Sequence, residues 1–234
     1  MHRLRYIFLL VVVAAVTAGQ ATAQNVKQSR DVIEAYRVCN QFKRLLSRDL
    51  DFDRAFEETF AKDPKRRREI AIVEGEFGDA DLTGIDDKML IDAFKSRMQI
   101  LFSTLPLMGP ENKAQEDLFF PARFKAIFDR GVPKTAAEFP PFAAQVKRDA
   151  EDMRTRLNQL ASRFREVAER VRNFKRDLTE EISVPDNYLV KPLTAYSKGN
   201  ILGEQEEYYQ IGDYAVIREQ GQMKIIGIRF FRLF

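Results

Sequence analysis

Few side chains in this 234-residue chain could act on a substrate, and histidine is nearly absent from them. The single histidine, His2, lies in a segment expected to be removed. That leaves no imidazole for a Ser-His-Asp triad, a Cys-His pair or a zinc site. Cys39 is the one cysteine. It falls on the apolar stripe of a helix with nothing nearby to hold a thiolate, so a buried thiol is expected, not a nucleophile. Carboxylates, lysines and tyrosines remain, and no spacing singles out a pair. No catalytic, cofactor-binding or metal-binding residue is assigned on this reading, and enzyme activity is not expected.

Two clusters come closest to a binding site. Asp79, Asp81, Thr83, Gly84 and Asp87 resemble the opening of an EF-hand calcium loop, with oxygen ligands at alternate positions and a glycine at the sharp turn. Leu90 stands where the bidentate glutamate belongs, and Asp86 takes the usual apolar position. The expectation is therefore a turn in which Asp86 caps the next helix, and no tight calcium or zinc binding. Lys62, Lys65, Arg66, Arg67 and Arg68 form a basic cluster that could meet anionic lipid or a cell-wall polymer. Glu58 and Glu69 lie four residues from Lys62 and Lys65, so a solvated helix face is the stronger reading.

The compartment follows from the first 23 residues. Arg3 and Arg5 precede an apolar run from Tyr6 to Ala18, and Ala21-Thr22-Ala23 has the small-x-small pattern of a signal-peptidase site. The run is shorter than the roughly 20 residues a membrane span requires. Cleavage would leave Gln24 first and remove two arginines and no acid. The 38 basic and 35 acidic residues then become 36 and 35, which gives no basic surplus for nucleic acid. A lone cysteine excludes an internal disulfide, and no N-x-S/T acceptor occurs, so bacterial export to the periplasm or beyond is expected. With 45% hydrophobic and 31% charged residues the remainder is globular in composition.

The elements that must position these residues are mostly helices. Val32, Ala35, Tyr36, Cys39, Phe42 and Leu46 recur at helical spacing, as do Phe52, Ala55, Phe56 and Phe60 behind Asp51. Asp63-Pro64 opens a third helix, and Leu90, Phe94, Met98 and Leu101 mark a fourth. A short helix is expected from Pro121 to Arg130. From about 141 to 182 no glycine or proline interrupts the chain. There Ala150, Leu157, Phe164, Val171 and Leu178 alternate with Val146, Met153, Leu160, Val167 and Phe174 in the 3.5 period of a coiled-coil seam. One continuous helix over 142–180 would be about 60 Å long, against a radius of gyration of about 17 Å for a compact domain of this size. It would be either a spine packed by its own chain or a helix pairing between chains. The facing charges do not specify a parallel pair, since Arg170 would meet Lys175.

After Val184-Pro185 strands are expected at Tyr208–Ile211, Tyr214–Glu219 and Met223–Phe231, with Gln220-Gly221 turning the last hairpin. Five of the seven tyrosines fall in this tail and could serve an interface. Ile226, Ile228, Phe230 and Phe234 have the aromatic ending of outer-membrane barrel strands, but so few strands cannot close a barrel. The hairpin of Tyr214–Arg218 and Lys224–Ile228 resembles the closing strands of NTF2-like domains. The likeness is confined to that hairpin, and the chain is not placed in that family.

The reading is an α+β protein, predominantly α. It comprises a signal peptide (1–23), a helical domain (24–183) containing the long heptad-patterned helix, and a small antiparallel β module (184–234) docked on the helices. The apolar residues on both faces of the strands, such as Ile225 beside Ile226, require that second layer. The expected function is an exported, non-enzymatic interaction or structural protein of the bacterial envelope. The alternative is a small-ligand-binding protein with a cavity between the phenylalanine-rich helices and the tyrosine-rich sheet. The expected partner is a protein, with self-association through 142–180 left open, no nucleic acid, and no integral membrane segment once the signal is cleaved.

Overall fold

Three aspartates start three of the helices. Helix α1 spans residues 30–49. Asp51 then accepts from the Arg54 amide at 3.1 Å to open α2 (Phe52–Thr59). Asp63 accepts from the Arg66 amide at 2.9 Å, and Pro64 supplies the first residue of α3 (Pro64–Glu74). Asp86 accepts from the Met89 amide at 3.1 Å and caps α4 (Asp87–Thr104), which tightens into a 3-10 turn over Leu105–Leu107. Each cap satisfies an otherwise orphaned amide and contributes about 1 kcal/mol. A short α5 (Lys113–Phe119) follows. The computed structural model describes residues 30–108, 113–120, 126–127, 131–183 and 208–228. The expected export signal, most of the expected Pro121–Arg130 helix, and Tyr188, Tyr196, Phe230 and Phe234 lie outside them.

Phenylalanines make the core. Phe52 sits at its centre, with ring centroids 6.1 Å from Phe42, 5.7 Å from Phe94 and 5.8 Å from Phe102. Phe56 and Phe60 complete the cluster, and every one of these rings is at most 1% exposed. Most of the contacts are edge-to-face, the arrangement that the ring quadrupoles favour. The turn from α1 into α2 needs a left-handed residue at Leu50 (φ 56°), a conformation that costs a non-glycine roughly 1–2 kcal/mol. Gln99 holds it. Its amide nitrogen donates to the Leu50 carbonyl at 2.9 Å, and its amide oxygen accepts from the Phe52 N–H at 3.1 Å.

The expected single helix over 142–180 is two helices, α6 (Phe139–Arg163) and α7 (Arg165–Thr179). They meet at Phe164, whose backbone is extended (φ −122°, ψ 115°). No proline or glycine causes the break; packing does. Continued straight, the second half would carry Val167, Val171, Phe174 and Leu178 away from the protein. Turned back, it buries Val167 completely in a small core with Leu50, Leu107, Phe119, Leu157 and Leu160, and packs the other three against it. The returning helix runs antiparallel to α1. Lys175 donates to the Arg48 carbonyl at 2.8 Å, and Asn40 exchanges two hydrogen bonds with the Ile182 backbone at 2.8 and 3.2 Å. Full burial of Val167, at roughly 1.5–3 kcal/mol, together with partial burial of Val171, Phe174 and Leu178, outweighs interrupted helix hydrogen bonds worth about 1 kcal/mol each. Apart from Phe164, the heptad seam is thus filled by its own chain. Val146, Ala150 and Met153 pack on Ile100, and the later positions pack on the small core.

The C-terminal strands form a three-stranded antiparallel sheet in the order β1 (Tyr209–Ile211), β2 (Tyr214–Glu219), β3 (Gln222–Ile228). Gln220 and Gly221 have φ of 48° and 82°, the two consecutive left-handed residues of a type I′ hairpin turn. The register slips between Ala215, opposite Gly227, and Val216, opposite Ile225. Ile226 is the extra residue of this bulge, and both it and Ile225 are fully buried. On one face, Tyr214 meets Phe42 of α1 at 5.9 Å, and the Tyr209 hydroxyl donates to Asp31 of α1 at 3.1 Å. At the β3 edge, Phe60 forms a parallel bridge with Ile225, and the Ala61 amide donates to the Ile225 carbonyl at 3.0 Å. Sheet and helices share one core.

Candidate interaction surface

The residues singled out in the sequence are mostly engaged in holding elements together. Cys39 is fully buried, and desolvation pushes its thiol well above the ordinary range, so it behaves as a small apolar side chain. In the loop with partial EF-hand spacing, Asp81 accepts from the Thr83 amide at 3.0 Å and Asp86 caps α4. Asp87 is paired with Arg68. No group of three His, Cys, Asp or Glu side chains able to hold a metal occurs among the described residues.

The basic cluster forms the expected solvated face only in part, at the exposed Lys62 and Lys65. Arg66, Arg67 and Arg68 are only 18%, 16% and 26% exposed and reach tertiary partners. Arg68 also donates to the carbonyls of Ile85 and Leu82 at 3.2 and 3.4 Å. Arg67 donates to Glu57 at 2.7 Å and to the Ala61 carbonyl at 2.9 Å. Lys95 from α4 reaches the same Glu57 at 2.5 Å and Asp53 at 2.7 Å. The two cations lie 4.9 and 5.4 Å from the centre of the Phe56 ring. Desolvation would raise the Glu57 carboxyl, but hydrogen bonds from Arg67 and Lys95 overcome it and hold the group at about 2. For Lys95, desolvation is likewise outweighed by its two carboxylate partners, and its pKa is raised. An ammonium held protonated cannot serve as a nucleophilic amine, and a carboxylate held ionised is a poor general base near neutrality. The network ties α2, α3 and α4 together.

Similar ties fasten the sheet. Arg218 donates to Asp31 at 2.5 Å and to Glu34 at 2.6 Å. Glu219 accepts from the backbone amides of Lys62 and Asp63 at 2.6 and 3.3 Å. Tyr208, Tyr209 and Tyr214 are at most 5% exposed and contribute to the core, not to an exposed face. Between helices and sheet, where the ligand reading would put a cavity, Phe42, Phe60 and Tyr214 are packed ring against ring.

The exposed apolar residues lie elsewhere. Among the described residues four large apolar side chains are exposed: Ile33, Met108, Leu118 and Phe164. Three of them are sequence neighbours of residues in the small core. Met108 follows Leu107, Leu118 precedes Phe119, and Phe164 stands between Leu160 and Val167. The arrangement is pinned by Arg170, which donates to the Met108 carbonyl at 3.2 Å, and by Arg156, which donates to the Leu118 carbonyl. The seam pattern places Phe164 inward; the bend turns it outward at 38% exposure, and only tertiary packing could have shown that. The flanking Arg163 and Arg165 are exposed as well. Phe164 thus stands exposed between two exposed arginines at the bend. No family model matches the chain, and no curated protein or solved structure matches it.

Proposed function

We propose that this protein is an exported, non-enzymatic interaction component of the bacterial envelope that works through the α6–α7 corner. The observation that carries the reading is the bend that turns Phe164 outward, 38% exposed between the exposed Arg163 and Arg165. An aromatic ring flanked by arginines is a common anchor at contact surfaces. The charged clusters support a non-enzymatic role, because their members are paired as ties between elements. The aromatic packing between helices and sheet favours this reading over a ligand cavity at that interface. Among the described residues no helix is long and apolar enough to cross a membrane. The compartment is tested by fractionation and N-terminal sequencing. Gln24 at the N-terminus of periplasmic or secreted material is the expected result, and Met1 retained on cytoplasmic protein refutes it. The corner is tested by placing a photocrosslinker at position 164 in living cells. Crosslinks at 164, with none from an exposed position on α3, are expected; equal labelling from both refutes a dedicated surface.

A further inference from the structure

We propose that the chain exchanges α7 and everything after it with a second copy of itself, by straightening at Phe164. Nothing local to the chain asks for the bend. The break is one residue long and holds neither proline nor glycine, and the helical pattern resumes at once, with the Ala168 amide donating to the Phe164 carbonyl at 3.1 Å. Asp51, Asp63 and Asp86 cap the helices they open, whereas Phe164 offers α7 no capping side chain, so its first-turn amides forgo the hydrogen bonds that a continuous helix would give them. The 3.5-residue apolar period also crosses the bend in phase, from Val146 to Leu178. Local sequence therefore favours one helix and the small core favours the bend; a monomer satisfies only the second. An exchanged dimer satisfies both. In it the straightened helix carries α7 to the other copy, where Val167 enters the site formed by that copy's Leu50, Leu107, Phe119, Leu157 and Leu160, and Lys175 and Ile182 meet its Arg48 and Asn40. One hinge suffices, because the sheet follows and finds the second copy's Asp31 and Glu34 for Tyr209 and Arg218. The packed contacts are kept, helix hydrogen bonds are regained at both hinges, and Phe164 returns to the seam face that its heptad position gives it. Association entropy opposes the exchange, so the dimer gains with concentration, and a one-residue hinge is of the short kind that invites it. The inference stands on the bend and not on export.

Arg165→Pro separates the two forms. Position 165 is the first of α7, where proline fits the bend, and Phe164 before it is already extended, as a residue preceding proline prefers. The Arg165–Glu169 pair that is lost is exposed and worth little. Inside a straight helix the same proline breaks the hydrogen-bond ladder. The mature chain, held concentrated just below its melting temperature and then cooled, should yield a dimer separable by size and measured by light scattering. Arg165→Pro should raise the dissociation constant of that dimer about 10,000-fold or more, the factor for two helices each losing about 3 kcal/mol. The variant monomer should melt no lower than the parent, which guards against misfolding. Lys147→Cys and Arg176→Cys, both exposed, take spin labels in the native chain, where Cys39 is buried. With one labelled chain among unlabelled copies, the dimer should give about 44 Å between the labels, the length of straight helix that joins them, and the monomer a shorter distance. No dimer, a dimer that Arg165→Pro leaves unchanged, or a dimer with the monomer's distance overturns the proposal.

Discussion

Val167→Asp separates a folded-back helix from a straight one. On a straight extension the side chain would face solvent, and the substitution would change stability by no more than about 0.5 kcal/mol. In the folded-back arrangement Val167 is fully buried among Leu50, Leu107, Phe119, Leu157 and Leu160. The substitution then loses roughly 1.5–2 kcal/mol of transfer free energy and puts a carboxylate among apolar side chains, for a total of roughly 3–5 kcal/mol. At about 2–4 °C per kcal/mol for a chain of this size, the melting temperature should fall by about 6–20 °C. Asn173→Asp, exposed on the same helix, is the control and should melt within about 2 °C of the parent. Thermal melting followed by circular dichroism measures both. Equal melting of the two variants would refute the bend and the small core built on it.

Gly75→Ala should destabilise by roughly 2 kcal/mol or more, because a Cβ there would lie 2.3 Å from the Ala71 carbonyl oxygen and 2.6 Å from the Phe77 ring; urea unfolding measures it. The Glu57 carboxyl is held at about 2, below its ordinary 4.5, so its contribution to stability is complete above about pH 4.5 and is lost as pH falls toward 2. Because this side chain is 38% exposed, solvent screening limits that contribution to about 1–1.5 kcal/mol, and Glu57→Gln should flatten the acid limb of the stability curve by that amount. Cys39 should resist thiol reagents in the native protein and react fully once urea unfolds it, since it is buried and its thiol is held protonated.

The sequence by itself determined the local elements. Caps at Asp51, Asp63 and Asp86, the 3.6-residue recurrence of phenylalanines and the Gln220-Gly221 turn are each decided by neighbours a few residues apart, and each stands where local chemistry puts it. The predominantly helical α+β class followed from the same signals. Tertiary structure decided what depends on distant partners. An unbroken heptad from Val146 to Leu178 is compatible with a straight helix or a bent one. The choice fell to Leu50, Leu107 and Phe119, which offered Val167 an apolar site only if the chain turned at Phe164. The arginines after Pro64 likewise read as a solvated face until Glu57, Asp87 and Glu219, brought from other elements, claimed them. The exposed corner is a product of both. Its arginines and phenylalanine are written in the sequence, but their outward placement exists only because packing the apolar side of α7 on the small core released more free energy than keeping one helix whole.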